Sequence, residues 1–250
     1  MIRIFLTLLA AAPLLLFGPR ADAEDAPLTK SDVEAIMRDY LLANPEILEE
    51  AFTALQAKRQ AEAEAARKGS LSQYRDALEN TPGDPVLGNP AGDVTMVEFF
   101  DYNCGYCRRA HEDLERLIAA DPQLKVIMKE FPVLGQGSME AAAVSILVND
   151  LVPESYPEFH ERLITADGQA NEKVALSIAT DMGLPVDEIR AKLRSDKVRE
   201  TVQSSYEIAQ ALGLSGTPSY VVGDTVEFGA VGYDTLRTRI NEARCGEMEC

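Results

Sequence analysis

Cys104 and Cys107 flank Gly105-Tyr106, and two thiols at that spacing admit three kinds of chemistry. They can exchange a disulfide with a partner, supply half of a zinc site, or brace a turn. Zinc in a structural site takes four ligands, and beyond the cysteines only His111 and His160 are available as soft donors. A disulfide across two residues closes so short a loop that it gains little from chain entropy. Redox exchange is therefore the favoured reading, provided the pair stands where a strand passes into a helix. There the first backbone N–H groups and the helix dipole stabilise a thiolate. That lowers the pKa of Cys104 and makes it both nucleophile and leaving group. Cys107, one turn into the helix, is expected to be the more buried thiol that attacks a mixed disulfide and releases the partner. Gly105 is expected to allow the tight turn. Tyr106 is expected to face outward, where it can tune the pair or touch a substrate.

The flanking residues supply that junction. Val94–Phe100 reads as a buried strand interrupted by Glu98, Cys107–Ala120 as a helix ending before Asp121-Pro122, and Val126–Phe131 as a second strand carrying Lys129. A buried carboxylate six residues before Cys104 could take the proton of Cys107 during resolution. Lys129 could pair with Glu98 and moderate the cost of its burial. The alternative is that both point outward. Residues 138–212 hold helical stretches and no convincing strand. Ser219–Val222 and Val226–Phe228 are short strands joined by Gly223-Asp224, a hairpin turn, and Tyr233–Ala243 is a terminal helix. The order is that of an α/β domain over about 71–250 with a helical insertion at about 136–212. His111 lies four residues after Cys107 on the same helical face; it either tunes the site or is a solvated helix residue, the latter being favoured. His160 reads as structural or solvated.

Upstream, residues 24–70 form a helical arm. Ser31-Asp32-Val33-Glu34 has the form of a capping box, and Val33, Met37 and Tyr40 follow at helical spacing. Asn44-Pro45 ends that helix and opens a second, which carries Leu48, Phe52 and Leu55 and is expected to stop at Gly69. The apolar stripe either packs on its own domain or drives self-association. The Pro- and Gly-rich stretch Asn80–Gly92 then punctuates the entry to the main domain.

Residues 1–23 read as a cleavable signal peptide: Arg3, the short apolar run Ile4–Phe17, and Ala21-Asp22-Ala23 as an A-x-A site. Export implies an oxidising, periplasm-like compartment in which cysteines pair or exchange. The four cysteines form two close pairs far apart in the chain, which suggests two separate jobs. Cys245 and Cys250 are expected to form a local disulfide that fastens the C-terminus, with a second exchange centre or an intermolecular bond as the alternatives. The formal net charge of −17 makes nucleic acid and anionic lipid poor partners.

The segment Val97-Glu98-Phe99-Phe100-Asp101-Tyr102-Asn103-Cys104-Gly105-Tyr106-Cys107 resembles the active-site segment of DsbA-like proteins of the thioredoxin fold. Gly216-Thr217-Pro218 resembles their cis-proline loop, and Lys129-Glu130-Phe131-Pro132 the strand that follows. The resemblance runs from about Pro85 to Ala243. The arm is similar to the extension of the copper-sensitivity suppressor branch, the ScsC-like proteins, some of which oligomerise through it.

The resemblance implies a thioredoxin-like fold with a helical insertion, preceded by an N-terminal helical arm. It implies that Thr217 and a cis Pro218 lie beside Cys104, and that Thr217 pairs through its backbone with a bound peptide. It implies exchange with thiols and disulfides of exported proteins, a membrane redox partner, and a homo-oligomer built through the arm. The redox-active disulfide Cys104–Cys107 would need no cofactor. Cu(I) held by the two thiolates is the alternative, against which stands the lack of a Met/His-rich tract. Strong oxidants of the family carry Pro-His between the cysteines. Gly105-Tyr106 offers no imidazolium, so exchange is expected to run toward reduction or isomerisation, with dithiol oxidation as the other direction.

Overall fold

The structure is a computed structural model that describes residues 27–250; the expected signal peptide lies outside the described residues. The chain divides into two compact units, with the boundary after Lys58.

In the first unit, α1 (Lys30–Ala43) starts from a capping box two residues earlier than expected. Asp32 N–H donates to Thr29 Oγ1 (3.3 Å), and Thr29 N–H donates to the Asp32 carboxylate (3.0 Å). Ser31 therefore lies inside the helix, because Thr29 supplies the same hydroxyl and Asp32 the same acceptor. Asn44 closes α1, its side-chain amide donating to Tyr40 O (2.8 Å), and α2 (Glu46–Glu79) begins after Pro45. No residue of α1 is buried. Val33, Ile36, Met37 and Tyr40 are all exposed, as are Leu48, Phe52 and Leu55 of α2.

The helix α2 does not stop at Gly69. A glycine inside a helix costs roughly 1 kcal/mol. Beyond it, Leu71 and Leu78 are fully buried, and each such burial stabilises by about 1.5–3 kcal/mol. Burial outweighs propensity, so the helix continues. Its C-terminal carbonyls are then met by lysines, Lys129 Nζ on Ala77 O (2.8 Å) and Lys125 Nζ on Glu79 O (3.0 Å), which also suits the negative end of the dipole.

The second unit is built on a five-stranded sheet in the order β1-β3-β2-β4-β5, with β1 Val86–Gly88, β2 Val94–Phe100, β3 Leu124–Glu130, β4 Ser219–Val222 and β5 Thr225–Phe228. β2 and β3 run parallel and the other pairs are antiparallel. The three-residue edge strand β1 was not anticipated; it hides in the Pro/Gly-rich stretch. Helix α3 (Gly105–Ala120) connects β2 to β3. Then come α4 (Gln136–Leu151), α5 (Tyr156–Ile164), α6 (Glu172–Asp181), α7 (Val186–Lys192) and α8 (Asp196–Leu212), and α9 (Tyr233–Cys245) closes the chain. The helices α4–α8 fill the expected insertion.

Because β2 is central, it is buried on both faces and reads as a nearly unbroken apolar run. Alternation then sorts its side chains. Met96 and Phe100 join Val126, Met128, Tyr220 and Val222 in the core that contains both thiols of the Cys-x-x-Cys turn. Val97 and Phe99 join Ile127 and Val221 on the other face, covered by Leu71 and Leu78 of α2 and by Ile208 and Leu212 of α8. The sheet thus presents Glu98 to the thiol face, between Met96 and Phe100.

Candidate active site

At the end of β2 the chain turns through Asp101-Tyr102-Asn103 into α3. Asp101 is buried, and its carboxylate accepts from Asn103 N (2.8 Å) and Leu134 N (2.9 Å), while its carbonyl accepts from Cys104 N (3.0 Å). Asn103 reaches the helical insertion. Its amide nitrogen donates to Ser138 Oγ (3.0 Å) and Ala170 O (2.9 Å), and its oxygen accepts from Ala170 N (2.7 Å). Two polar side chains thereby tie the turn that carries Cys104 to the loops after β3 and α5. Neither was singled out from the sequence. The Asp-x-Asn spacing of a side-chain-capped turn immediately before the cysteines was the available signal.

Cys104 occupies the N-cap of α3 and Cys107 its first turn; both thiols are free and buried. The Thr217–Pro218 bond is cis, and Cys104 Sγ donates to Thr217 O at 3.2 Å. The Cys104 thiol is brought down to about 5, first by the hydrogen bond from Cys107, then by Thr217 and the backbone N–H groups of Cys107 and Tyr106, against the opposing effect of burial. A thiol lowered this far is held as a thiolate near neutral pH. Cys107 is driven far up, chiefly by burial and then by its bond to Cys104 and the charge of Glu98, so it remains a thiol until a base takes its proton.

Glu98 is a carboxyl on the thiol face of the same sheet. It is almost fully buried, its Oε2 has no hydrogen-bond partner, and burial followed by the Cys104 charge pushes it up to about 8. Lys129 does not meet it. The parallel register sets Lys129 opposite Phe99, and Glu98 opposite Met128. Lys129 therefore emerges on the far face of the sheet, where its ammonium pairs with Asp84 and bonds Ala77 O. The expected Glu98–Lys129 pair fails because a parallel ladder of this register puts the two residues one position out of step. The neighbour Glu130 takes the thiol-side face instead: buried, with Oε1 unpartnered, its carboxyl raised well above the usual range by burial.

His111 is 6% exposed rather than solvated, because position four after Cys107 faces the interior of α3. Its ring packs 5.4 Å from that of His160, and burial lowers its pKa. His160 is also buried and is held down to about 3 by burial; Tyr102 OH lies 3.1 Å from its Nδ1 and 2.8 Å from Ser145 Oγ. It is a neutral ring in a polar cluster behind the turn. Tyr106 is exposed, with the Arg109 guanidinium 4.4 Å over its ring. Gly105 is not demanded by the turn: its φ is not positive, and a Cβ there would meet nothing closer than 3.9 Å.

Cys245 and Cys250 are bonded to each other after α9. Arg244, beside them, binds Asp93 and Asp121, which lie before β2 and after α3, at the opposite end of those elements from Cys104. Among the described residues no group of three or more His, Cys, Asp or Glu is placed to hold a metal, and no helix is long and apolar enough to cross a membrane.

Residues 95–241 match the DSBA-like thioredoxin domain, and residues 30–62 the copper resistance protein ScsC N-terminal domain. A thioredoxin-like oxidoreductase from Silicibacter pomeroyi is 42% identical, covering 68% of this chain and 97% of that one, with a TM-score of 0.65. Proteus mirabilis ScsC in a transitional conformation is 32% identical over 86% of this chain and 97% of that one, with a TM-score of 0.65. Disulfide bond formation protein D of Bacillus subtilis is 28% identical, covering 70% of this chain and 85% of that one.

Proposed function

This chain belongs to the DSBA-like thioredoxin family and is a thiol–disulfide oxidoreductase, and from that premise we propose that it acts as a periplasmic disulfide isomerase or reductase that works as an oligomer. One observation carries the reading. Cys104 stands at the N-cap of α3 with its Sγ 3.2 Å from the carbonyl of Thr217, before the cis Pro218, and Cys107 is a free, buried thiol in the first turn of the same helix. Cys104 attacks a client disulfide, and Cys107 resolves the mixed disulfide with Glu98 as proton acceptor. Thr217 and Pro218 offer the backbone edge on which an extended client segment lies.

Gly105-Tyr106, without an imidazolium to stabilise the thiolate further, supports reduction or isomerisation over strong oxidation. The arm supports self-association: α1 buries nothing, yet Val33, Ile36, Met37 and Tyr40 recur on one helical face. The signal-like residues 1–23 support export, and a membrane reductant would keep the pair reduced.

Rapid thiol trapping from cells tests the direction. A mainly reduced Cys104–Cys107 pair is expected; a mainly oxidised pair overturns the isomerase reading in favour of a dithiol oxidase. Solution mass tests the assembly: the full chain should exceed the mass of one copy, and Ile36→Glu with Tyr40→Glu should return it to one. A Cu(I) reading is favoured by the arm's match alone. Among the described residues no group of three or more His, Cys, Asp or Glu is placed to add to the two sulfurs, and titration of the reduced protein with Cu(I), with and without Cys104→Ser, separates this reading from exchange activity.

A further inference from the structure

Three exposed arginines show how a helix of this chain can neutralise a cation. Arg162 pairs with Glu158, Arg199 with Asp196 (2.6 Å) and Arg116 with Asp113 (3.1 Å), each three or four residues away. Arg109 departs from this. It is exposed on α3, and carboxylates stand three and four residues on, at Glu112 and Asp113, the spacing at which helical pairs meet. Asp113 takes Arg116 instead. The Arg109 side chain leans the other way, toward the N-terminus of α3, and its guanidinium carbon lies 4.4 Å from the centre of the Tyr106 ring. Among the described residues it makes no ion pair.

That position is beside the reactive turn. Arg109 Nη1 comes within 3.9 Å of the point where a Cβ on Gly105 would stand, and Gly105 directly follows Cys104. A side chain at 105 would therefore touch the guanidinium, and glycine leaves that space open. Gly105, Tyr106 and Arg109 are all exposed, so the ring and the cation form an outer wall next to the thiol. The nearest acid before the cysteines does not cancel the charge: Asp101 is buried, and its carboxylate is taken by Asn103 N and Leu134 N. In a chain with 41 acidic and 24 basic side chains, the field at long range repels anions. An unpaired cation at the turn reverses that preference at contact.

We propose that Arg109, held by Tyr106, is a specificity-determining residue that favours client disulfides carrying a carboxylate beside the reacting cysteine. This rests on the reading of Cys104 as the attacking thiol. In the exchange the Cys104 thiolate bonds one client sulfur, the client S–S bond breaks, and its electron pair leaves on the other client sulfur, which becomes a thiolate. Arg109 takes no part in those bonds. Its N–H groups form a planar fork that matches a carboxylate, so it orients the client as the sulfurs meet. The Tyr106 ring holds the guanidinium by its face and leaves the N–H edge free for that contact. An exposed pair of this kind is worth only a few-fold in affinity, which suits discrimination among clients better than tight capture.

Three small disulfides of similar length test it: dithiodiglycolate with two carboxylates, uncharged hydroxyethyl disulfide, and cystamine with two ammonium groups. Stopped-flow loss of ultraviolet thiolate absorbance reads the attack by the reduced full chain. Comparing each probe between wild type and Arg109→Gln cancels the probe's own reactivity. Relative to hydroxyethyl disulfide, the rate with dithiodiglycolate should fall about threefold in Arg109→Gln and that with cystamine should rise about threefold. Salt should erase the wild-type preference, because the pair is exposed. Tyr106→Phe should keep the preference and Tyr106→Ala should lose it; a preference retained in Tyr106→Ala overturns the role of the ring. Ratios unchanged in Arg109→Gln overturn the proposal. So does an equal slowing with all three probes, which would mean that Arg109 acts on the thiolate and not on the client. A wild-type chain that reacts with none of the three removes Cys104 as the attacking thiol, and the proposal with it.

Discussion

Replacing Glu98 by glutamine should stabilise the reduced protein, by an amount that depends on pH. The Glu98 carboxyl is held at about 8 in the fold against an ordinary 4.5, and burial is the main cause. For an acid whose folded pKa is raised, the favourable contribution is fully present below the unfolded value and is lost as pH climbs toward the folded one. Between pH 4.5 and pH 7, at about 1.4 kcal/mol per unit, wild type forfeits roughly 3 kcal/mol that a permanently neutral side chain keeps. Glu98→Gln should therefore differ little in pH slope from wild type near pH 4, gain about 3 kcal/mol relative to that baseline by pH 7, and level off above pH 8. The amide adds an offset that does not vary with pH, so the slope is the observable. Urea unfolding of both proteins, kept reduced, from pH 4.5 to 8.5 measures it. A stability difference that is flat across this range would refute the burial argument and the placement of Glu98 on the thiol face.

Two further outcomes follow from the same geometry. Lys129→Met should cost about 3–5 kcal/mol in chemical unfolding, because it leaves Asp84 buried without its partner, yet should leave the titration midpoint of Cys104 where it is; a moved midpoint would restore Lys129 to the site. Thr217→Val should raise the Cys104 midpoint, since it keeps the backbone carbonyl but removes the side-chain hydroxyl that helps to lower the thiol, and should make the centre more reducing; ultraviolet thiolate titration and glutathione equilibration read the two effects.

What could be read from the sequence was local. The Cys-x-x-Cys turn, the strand before it, the helix after it and the Gly223-Asp224 hairpin are written in short-range patterns, and they appear where those patterns put them. What misled was non-local. Glu98 and Lys129 look alike as single charges in apolar strands, and only the β2–β3 register reveals that they face opposite sides. Tyr220 looks like an ordinary strand aromatic until the antiparallel register sets it against Glu98. Gly69 reads as a helix stop because the two leucines that carry α2 past it gain their stabilisation from β2, β3 and α8, far away in the chain. His111 reads as a solvated residue by its polarity, but its spacing from Cys107 puts it on the inner face of α3, where it is buried. Asp101 and Asn103, which brace the turn, do so through Leu134, Ser138 and Ala170, partners that no spacing rule links to them.

The central claim is that Cys104 attacks and Cys107 resolves. Reduced Cys107→Ala incubated with an oxidised model peptide, followed by intact-mass and fragment analysis, tests it directly. The account predicts a stable peptide adduct on Cys104 that accumulates because nothing displaces it. No adduct, or one that forms equally well when Cys104 rather than Cys107 is replaced, would contradict it.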